Sequence, residues 1–434
     1  MSFEIGFAVF LLAMLIFLLI IGMEIAWSVG IVGTIGLVWY VDQPLEQIAS
    51  ASWSSLNSFT LTAMPLFIFM GSILGNSGVN ERLFNAIDKW IGHLPGGLAN
   101  SVIAGNAIFG AMCGSTMAAT ATFGKIAYPE MERRQYSAKF ALGSIAAGTV
   151  LAPLIPPSII LILYGAWQGE SIVDLLAAGI IPGVTLTVLL LAVIMVWNKL
   201  DPSVTPDVVR RSWSERMKAL AEVTPFISLI VGILGAIFLG IMTATEAASL
   251  GAFLSLILTI AYKRLNLEIV HRSLLDTLRV TSFALFIMAM STLLSHVFNS
   301  AGIIPLLKDF VLGLGIGKYG ILVGFFLMYL VLGMFFDSWS MLFLTFPFVM
   351  PVIIGLGIDP VWWGIVYVLA GEQSTITPPF GLTLFVLRGV IPWQPMGTVV
   401  KGALPFFIAI YSTIFLLFLF PQMALWLPSI IGSN

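Results

Sequence analysis

Four short segments interrupt long apolar runs with residues able to hold a cation. The first reads Gly110-Ala111-Met112-Cys113-Gly114-Ser115-Thr116. The second sets Gly148-Thr149 ahead of Pro153-Leu154-Ile155-Pro156-Pro157-Ser158. The third begins at Gly333 and ends in Asp337-Ser338-Trp339-Ser340, and the fourth is Gly371-Glu372-Gln373-Ser374-Thr375-Ile376-Thr377-Pro378-Pro379. Proline cannot donate a helical hydrogen bond, so each Pro-Pro pair frees carbonyls just upstream of it. Freed carbonyls and hydroxyls are hard oxygen ligands suited to sodium, and the N-terminal end of a half-helix favours an anion. Asp337 and Glu372 are the sharpest residues, because a carboxylate at membrane depth is costly unless paired or wet. The plainer readings are close packing for the glycines and small hydroxyl residues, a tip reaching the outer surface for Asp337, and a protonated or paired group for Glu372. Covalent catalysis has little to work with. His93, His271 and His296 are far apart, and Cys113 is the single cysteine, which excludes a disulfide framework or a thiolate metal site.

The elements that must position these segments are membrane helices. The chain has 434 residues, 59% of them hydrophobic and 9% charged, against roughly 25% charge in soluble domains. A soluble fold could not cover that much apolar surface, so soluble enzymes, nucleic-acid binders and disordered proteins are excluded. The net charge of −2 implies no bulk electrostatic partner. Apolar runs near 5–22, 25–41, 61–79, 136–166, 175–197, 224–241, 245–262, 280–298, 361–387 and 402–426 are long enough to span or nearly span a bilayer. The 136–166 and 361–387 runs exceed one straight crossing and contain the Pro-Pro pairs, so both are expected to be broken helices. The stretches 98–128 and 319–353 are apolar but interrupted at their centres, and are expected to be re-entrant helical hairpins. The first run follows only Met1–Glu4, without a basic leader, and reads as a retained helix. Arms at 80–97 and 303–318 read either as interfacial amphipathic helices framing a moving unit or as ordinary connectors. Glu246 and Glu24 read as scaffold or N-cap residues at turns.

Placing the N-terminus outside puts 17 of the 19 basic residues on the inner side, leaving Lys308 and Lys318 outside. Among the inner basic residues are Arg210 in the linker and Arg272 and Arg279 in a loop at 263–279. The outer loops carry Asp42, Glu46, Glu170, Asp174 and Asp359 and no Lys or Arg. The chain also resembles itself at an offset near 223. Asn76-Ser77-Gly78 returns as Asn299-Ser300-Ala301-Gly302, Gly110 as Gly333, Ala147-Gly148 as Ala370-Gly371, and Pro156-Pro157 as Pro378-Pro379. Corresponding loops have opposite charge character, so the halves are expected to be inverted: 1–198 and 224–434, joined by a cytoplasmic linker at 199–223. Inverted repeats with discontinuous helices point to a secondary transporter with its substrate near the midplane. One ion site per half, each where a tip faces a break, would flank the substrate.

Several of these segments together resemble the large membrane subunit of the tripartite ATP-independent periplasmic (TRAP) transporters. The likeness rests on Met64-Pro65-Leu66-Phe67 with Gly71, Gly114-Ser115-Thr116-Met117-Ala118-Ala119-Thr120, Ile155-Pro156-Pro157-Ser158-Ile159, Thr243-Ala244-Thr245-Glu246-Ala247-Ala248, Gly333-Met334-Phe335-Phe336-Asp337 and Thr377-Pro378-Pro379-Phe380-Gly381. It covers essentially the whole chain. It implies sodium-driven uptake of organic acids (sodium as coupling ion, not catalyst) by an elevator motion in the bacterial inner membrane, where the basic-residue count above makes the N-terminus periplasmic. It also implies a small four-helix membrane subunit, here a separate chain, and a periplasmic substrate-binding protein. By position, it implicates Ser115, Gly148 and Thr149 in one sodium site, and Gly333, Asp337, Gly371, Ser374 and Thr377 in the other. Thr116, Ser158, Ser338 and Arg388 are the substrate candidates, with snorkelling to the interface as the alternative for Arg388. Two positions depart from the family pattern: Ala244 replaces a usual proline, and Ser374 a usual glycine.

The expected fold is thus an all-α polytopic membrane protein of the elevator type, resembling the ion-transporter superfamily. The nearest alternative is a self-sufficient sodium- or proton-coupled organic-anion carrier of related fold. An intramembrane enzyme would need a nucleophile and base beside Asp337 and Glu372, and none accompanies them. A channel would need a repeated filter motif, and none is evident.

Overall fold

A computed structural model describes residues 2–42, 44–206 and 211–432. Residues 207–210, within the expected linker and including Arg210, lie outside the described residues. The described residues form helices and connections, with no strand.

The first half holds α1 (Ser2–Ile20), α2 (Ile25–Gly36), α3 (Glu46–Leu56), α4 (Ala63–Asn76), α5 (Val79–Ile91), α6 (Leu98–Cys113), α7 (Thr116–Arg133), α8 (Ala138–Thr149), α9 (Ile159–Gln168) and α10 (Ile172–Leu200). The second holds α11 (Trp213–Phe238), α12 (Ala244–Ala261), α13 (Leu267–Ser300), α14 (Ile303–Leu312), α15 (Gly317–Leu332), α16 (Ser338–Gly355), α17 (Pro360–Thr375), α18 (Leu382–Val390), α19 (Met396–Ala403), α20 (Phe407–Leu419) and α21 (Gln422–Ile431). Among the described residues, seven stretches are long and apolar enough to cross a bilayer, the longest being α13 and α10. The chain is a multi-pass membrane protein.

Both Pro-Pro runs are broken, as their composition requires. Helix stops at Thr149 and resumes at Ile159, and stops at Thr375 and resumes at Leu382. Pro156–Pro157 and Pro378–Pro379 are cis peptides. The interrupted stretches are pairs of helices, α6–α7 turning at Gly114-Ser115 and α15–α16 turning at Gly333–Asp337. Both arms are helical at α5 and α14.

Three expectations need correction. The apolar run 402–426 is not one rod, because Phe420-Pro421 separates α20 from α21; proline removes the donor needed to continue. The basic segment 263–279 is mostly helix, since α13 begins at Leu267 under an Asn266 cap that accepts from the Ile269 N–H at 2.8 Å. Glu24 stands at the N-cap of α2 without a side-chain cap bond. Glu246 does cap: it accepts from the Thr243 N–H at 2.8 Å and hydroxyl at 2.9 Å, while Thr243 accepts from the Glu246 N–H.

In a bilayer, helices associate by close packing rather than by escape from water. α2 therefore presents Gly30, Gly33 and Gly36 to α13. A Cβ at Gly30 would meet the Met290 sulfur at 2.5 Å, and one at Gly36 would meet Val297 Cγ1 at 2.6 Å. A smaller apolar core forms there from α1, α2, the end of α13 and the start of α14. A larger core surrounds both helix pairs and both breaks. Within it α8 and α19 touch backbone to backbone, where a Cβ at Gly143 would sit 1.9 Å from the Gly402 carbonyl oxygen.

Candidate functional site

Each turn of a helix pair is built by a glycine or a cap. At the first, Gly114 has φ +56, a left-handed value that disfavours side chains. Ser115 then caps α7, accepting from the Ala118 N–H at 3.4 Å. At the second, Asp337 caps α16. Its Oδ2 accepts from the N–H groups of Trp339 at 3.1 Å and Ser340 at 3.3 Å, and its Oδ1 from the Ser340 hydroxyl at 2.5 Å. The carboxylate thus satisfies donors that a helix start leaves open.

The turns face the breaks. A Cβ at Gly110 would collide with Ala152 Cα at 2.4 Å, and one at Gly114 would lie 3.1 Å from the Ile159 nitrogen. In the second half a Cβ at Gly333 would lie 1.6 Å from the Ser374 hydroxyl oxygen, and one at Gly371 would lie 3.4 Å from the Ser338 hydroxyl oxygen. Gly333, Gly371 and Ser374 are therefore brought together, and the Ser374 side chain fills the space that Gly333 leaves. Its hydroxyl donates to the Gly371 carbonyl at 2.5 Å. Thr377 donates to the Gln373 carbonyl at 2.7 Å. In the first half, Thr149 donates to the Ala146 carbonyl at 2.8 Å, and Gly148 packs against Asn106.

Glu372 joins the two turns. Buried on α17, it accepts from the Thr116 hydroxyl at 2.5 Å through Oε2 and from the Ser338 hydroxyl at 2.7 Å through Oε1. Tyr367 donates to the Ser338 carbonyl. Beside these groups lies a cavity of about 460 Å³ lined by Ser115, Thr116, Asp337, Ser338, Glu372 and, from α13, Arg279.

Two substrate candidates lie elsewhere. Ser158 is buried as the cap of α9, donating to the Pro153 carbonyl and accepting from the Leu161 N–H at 3.3 Å; it does not line the cavity. Arg388 is also absent from the lining, and its guanidinium donates to the Pro392 carbonyl near the end of α18. Two residues were missed. Arg279 counted only toward sidedness. Asn106, fully buried, sets its Nδ2 beside Gly148, donates from it to the Val102 carbonyl at 2.9 Å, and has an Oδ1 with no hydrogen-bond partner; an amide in an apolar segment was the available signal. The side-chain groups of Ser115 and Thr149 and the free amide oxygen of Asn106 are hard oxygens, a ligand type that suits an alkali cation rather than a soft metal.

The family model for the tripartite ATP-independent periplasmic transporter, DctM component, matches residues 12–423. The chain belongs to this family. It is 31% identical to the C4-dicarboxylate TRAP transporter large permease protein DctM of Vibrio cholerae, covering 97% of each chain. It is likewise 31% identical to the sialic acid TRAP transporter large permease protein SiaM of that organism, covering 95% of this chain and 96% of that one. Among solved structures it resembles the Alcanivorax borkumensis YdaH transporter, with TM-score 0.52, 14% identity, and coverage of 91% of this chain and 90% of that one; this likeness concerns the fold. As a TRAP large permease the protein is a transport subunit and not an enzyme, so the cavity beside Glu372 belongs to a translocating machine.

Proposed function

We propose that this TRAP permease imports a small organic acid coupled to sodium, by an elevator movement of the two helix pairs and two broken helices against a scaffold. The single observation that carries this is Glu372, which holds Thr116 and Ser338 at once and so makes the two turns one unit. The charge balance of the cavity supports ion coupling. Two carboxylates, Asp337 and Glu372, line it against one guanidinium, Arg279. An organic anion entering alone would meet the acceptor oxygens of both carboxyl groups in a low-dielectric site. Sodium bound nearby offsets that repulsion, so cation and acid bind better together than apart.

In this reading the first sodium site uses Ser115, Gly148 and Thr149, with Asn106 added. The second uses Gly333, Asp337, Gly371, Ser374 and Thr377. Thr116, Ser338 and Arg279 contact the acid. The element order supports two inverted repeats, since a helix pair is followed by a Pro-Pro break in each half. The helix pairs are then re-entrant, residues 1–198 and 224–434 are the repeats, and 199–223 is a cytoplasmic linker. The basic-residue distribution supports a periplasmic N-terminus in a bacterial inner membrane. The family's tripartite character supports a small membrane subunit and a periplasmic binding protein as partners. The relatives named for C4-dicarboxylate and sialic acid support a carboxylate substrate.

The test is uptake into proteoliposomes holding the chain with both partner proteins, across a panel of organic acids, with and without an inward sodium gradient. The expected outcome is uptake of at least one acid that collapses without sodium. Uptake indifferent to sodium would overturn the coupling. Full uptake by this chain alone would establish the self-sufficient carrier instead.

A further inference from the structure

A second cavity, about 580 Å³ in volume, lies apart from the one at the helix turns and shares no lining residue with it. Four helices wall it. α13 contributes Ser295 and Asn299, α14 Lys308, α9 Trp167 and Gln168, and α16 Phe346. On α13 the two cavities are separated by the stretch from Phe283 to Thr292, about 14 Å at 1.5 Å per residue.

The chemistry of this cavity is sorted. One side is apolar and flat: Trp167 stacks on Phe346 with centroids 6.1 Å apart and planes 12° from parallel. The other carries hydroxyl and amide groups. Lys308, half-buried, makes no ion pair among the described residues. Its stem lies along Gly355, where a Cβ would stand 3.0 Å from Lys308 Cε. Glu170 stands two residues past Gln168 of the lining, with Asp359 and Asp174 acting on it. Burial, Asp359 and Asp174 together push the Glu170 carboxyl above its ordinary range. Lys308 and Lys318 are the two Lys or Arg residues that the sidedness reading leaves on this face. An anion arriving there is repelled by the carboxylates and attracted at Lys308.

We propose that this cavity is a second binding site for a small carboxylate. Lys308 takes the carboxylate, Ser295, Asn299 and Gln168 take hydroxyl or carbonyl groups, and Trp167 takes the carbon skeleton. The choice of acid rests on the transport reading above. α9 continues the first break and α16 the second turn, so a ligand here touches the proposed moving unit as well as α13 and α14. Its binding therefore favours the present arrangement over any in which those helices shift.

Equilibrium binding of labelled succinate, and of whichever panel acid is taken up, to the full chain in nanodiscs tests this. Wild type is expected to bind two acids per chain. Lys308→Met is expected to bind one, and Lys308→Arg two. Ser338→Ala, in the other cavity, is expected to weaken the other class about tenfold, a loss of about 1.4 kcal/mol. Asn299→Leu is expected to weaken the Lys308 class and stands in should Lys308→Met fail to fold. One acid per chain in wild type, or two classes persisting in Lys308→Met, overturns the proposal. If sodium-driven uptake persists with one acid per chain, only the second site falls. If no panel acid depends on sodium, the transport reading falls.

Discussion

Thr116 donates its hydroxyl proton to Glu372, 256 residues further along the chain, across 2.5 Å. The other carboxylate oxygen accepts from Ser338 at 2.7 Å. A buried carboxylate without partners would be expensive, so the three groups stabilise one another only while both turns are in place. A shift of either turn would strand the others, so these bonds tie the two turns to each other.

Thr116→Val and Glu372→Gln are each expected to lower sodium-driven uptake by about tenfold or more, since a hydrogen bond to a charged group contributes about 1.5–3 kcal/mol. The double variant is expected to be little worse than either single one, with a coupling of about 1–3 kcal/mol. Initial uptake rates for the four proteins measure this. Additive effects would mean that the bond does not link the turns.

Asp337 combines a helix cap with a place on the cavity wall. Asp337→Asn retains cap acceptors while removing the charge; Asp337→Ala removes both, with a stability cost of about 0.5–2 kcal/mol. Both are expected to raise the sodium concentration for half-maximal uptake, as is Thr149→Val, each by about tenfold, or 1.4 kcal/mol. Unchanged sodium dependence in folded Asp337→Asn and Thr149→Val would remove both residues from the proposed sodium sites.

Gly143→Ala tests the backbone contact between α8 and α19. The added Cβ would meet the Gly402 carbonyl oxygen at 1.9 Å, and overpacking of this kind costs about 1–3 kcal/mol. A lowered thermal midpoint in detergent is expected. Gly232→Ala, with nothing within 4 Å of its added Cβ, is expected to be neutral or slightly stabilising, because alanine is favoured over glycine in helices by up to about 1 kcal/mol. Equal midpoints for the two variants would contradict the packing.

Asp88 gives a pH dependence. Burial raises its carboxyl above the ordinary 3.8, against the lowering effects of Arg134 and Arg211 and with a further push from Glu130. The folded state therefore holds this proton over a range where the unfolded state has lost it. That share of stability falls as pH rises through the window from 3.8 up to the raised value. Thermal midpoints measured upward from pH 4 should show this slope in wild type, and it should flatten in Asp88→Asn. An identical slope in the variant would locate the titration elsewhere.

Much of the architecture was legible because membrane helices obey local rules. Apolar length revealed six of the seven described stretches long enough to cross a bilayer, the seventh, α16, falling largely inside an expected hairpin, and Pro-Pro pairs revealed the breaks, since proline denies the donor wherever it lies. The capping box at Thr243 and Glu246 could be read from four residues. The split between α20 and α21 was local too, at Phe420-Pro421, but the surrounding hydrophobicity masked it. The site was less legible. Ser158 and Arg388 belong to suggestive motifs, yet the fold directs one hydroxyl into its own break and the other guanidinium to a nearby carbonyl.

By itself, then, the sequence determined that this is a helical membrane protein, that its two Pro-Pro runs break, and to which transporters it is similar. These follow from composition and from neighbours within a few residues. Only the tertiary structure decided that Glu372 reaches Thr116 and Ser338 together, that Arg279 of a distant helix borders the same cavity, and that Asn106 packs its amide against Gly148 while its oxygen finds no partner. Those pairings join positions from tens to hundreds of residues apart, and helix packing, which no local rule encodes, sets which of them meet.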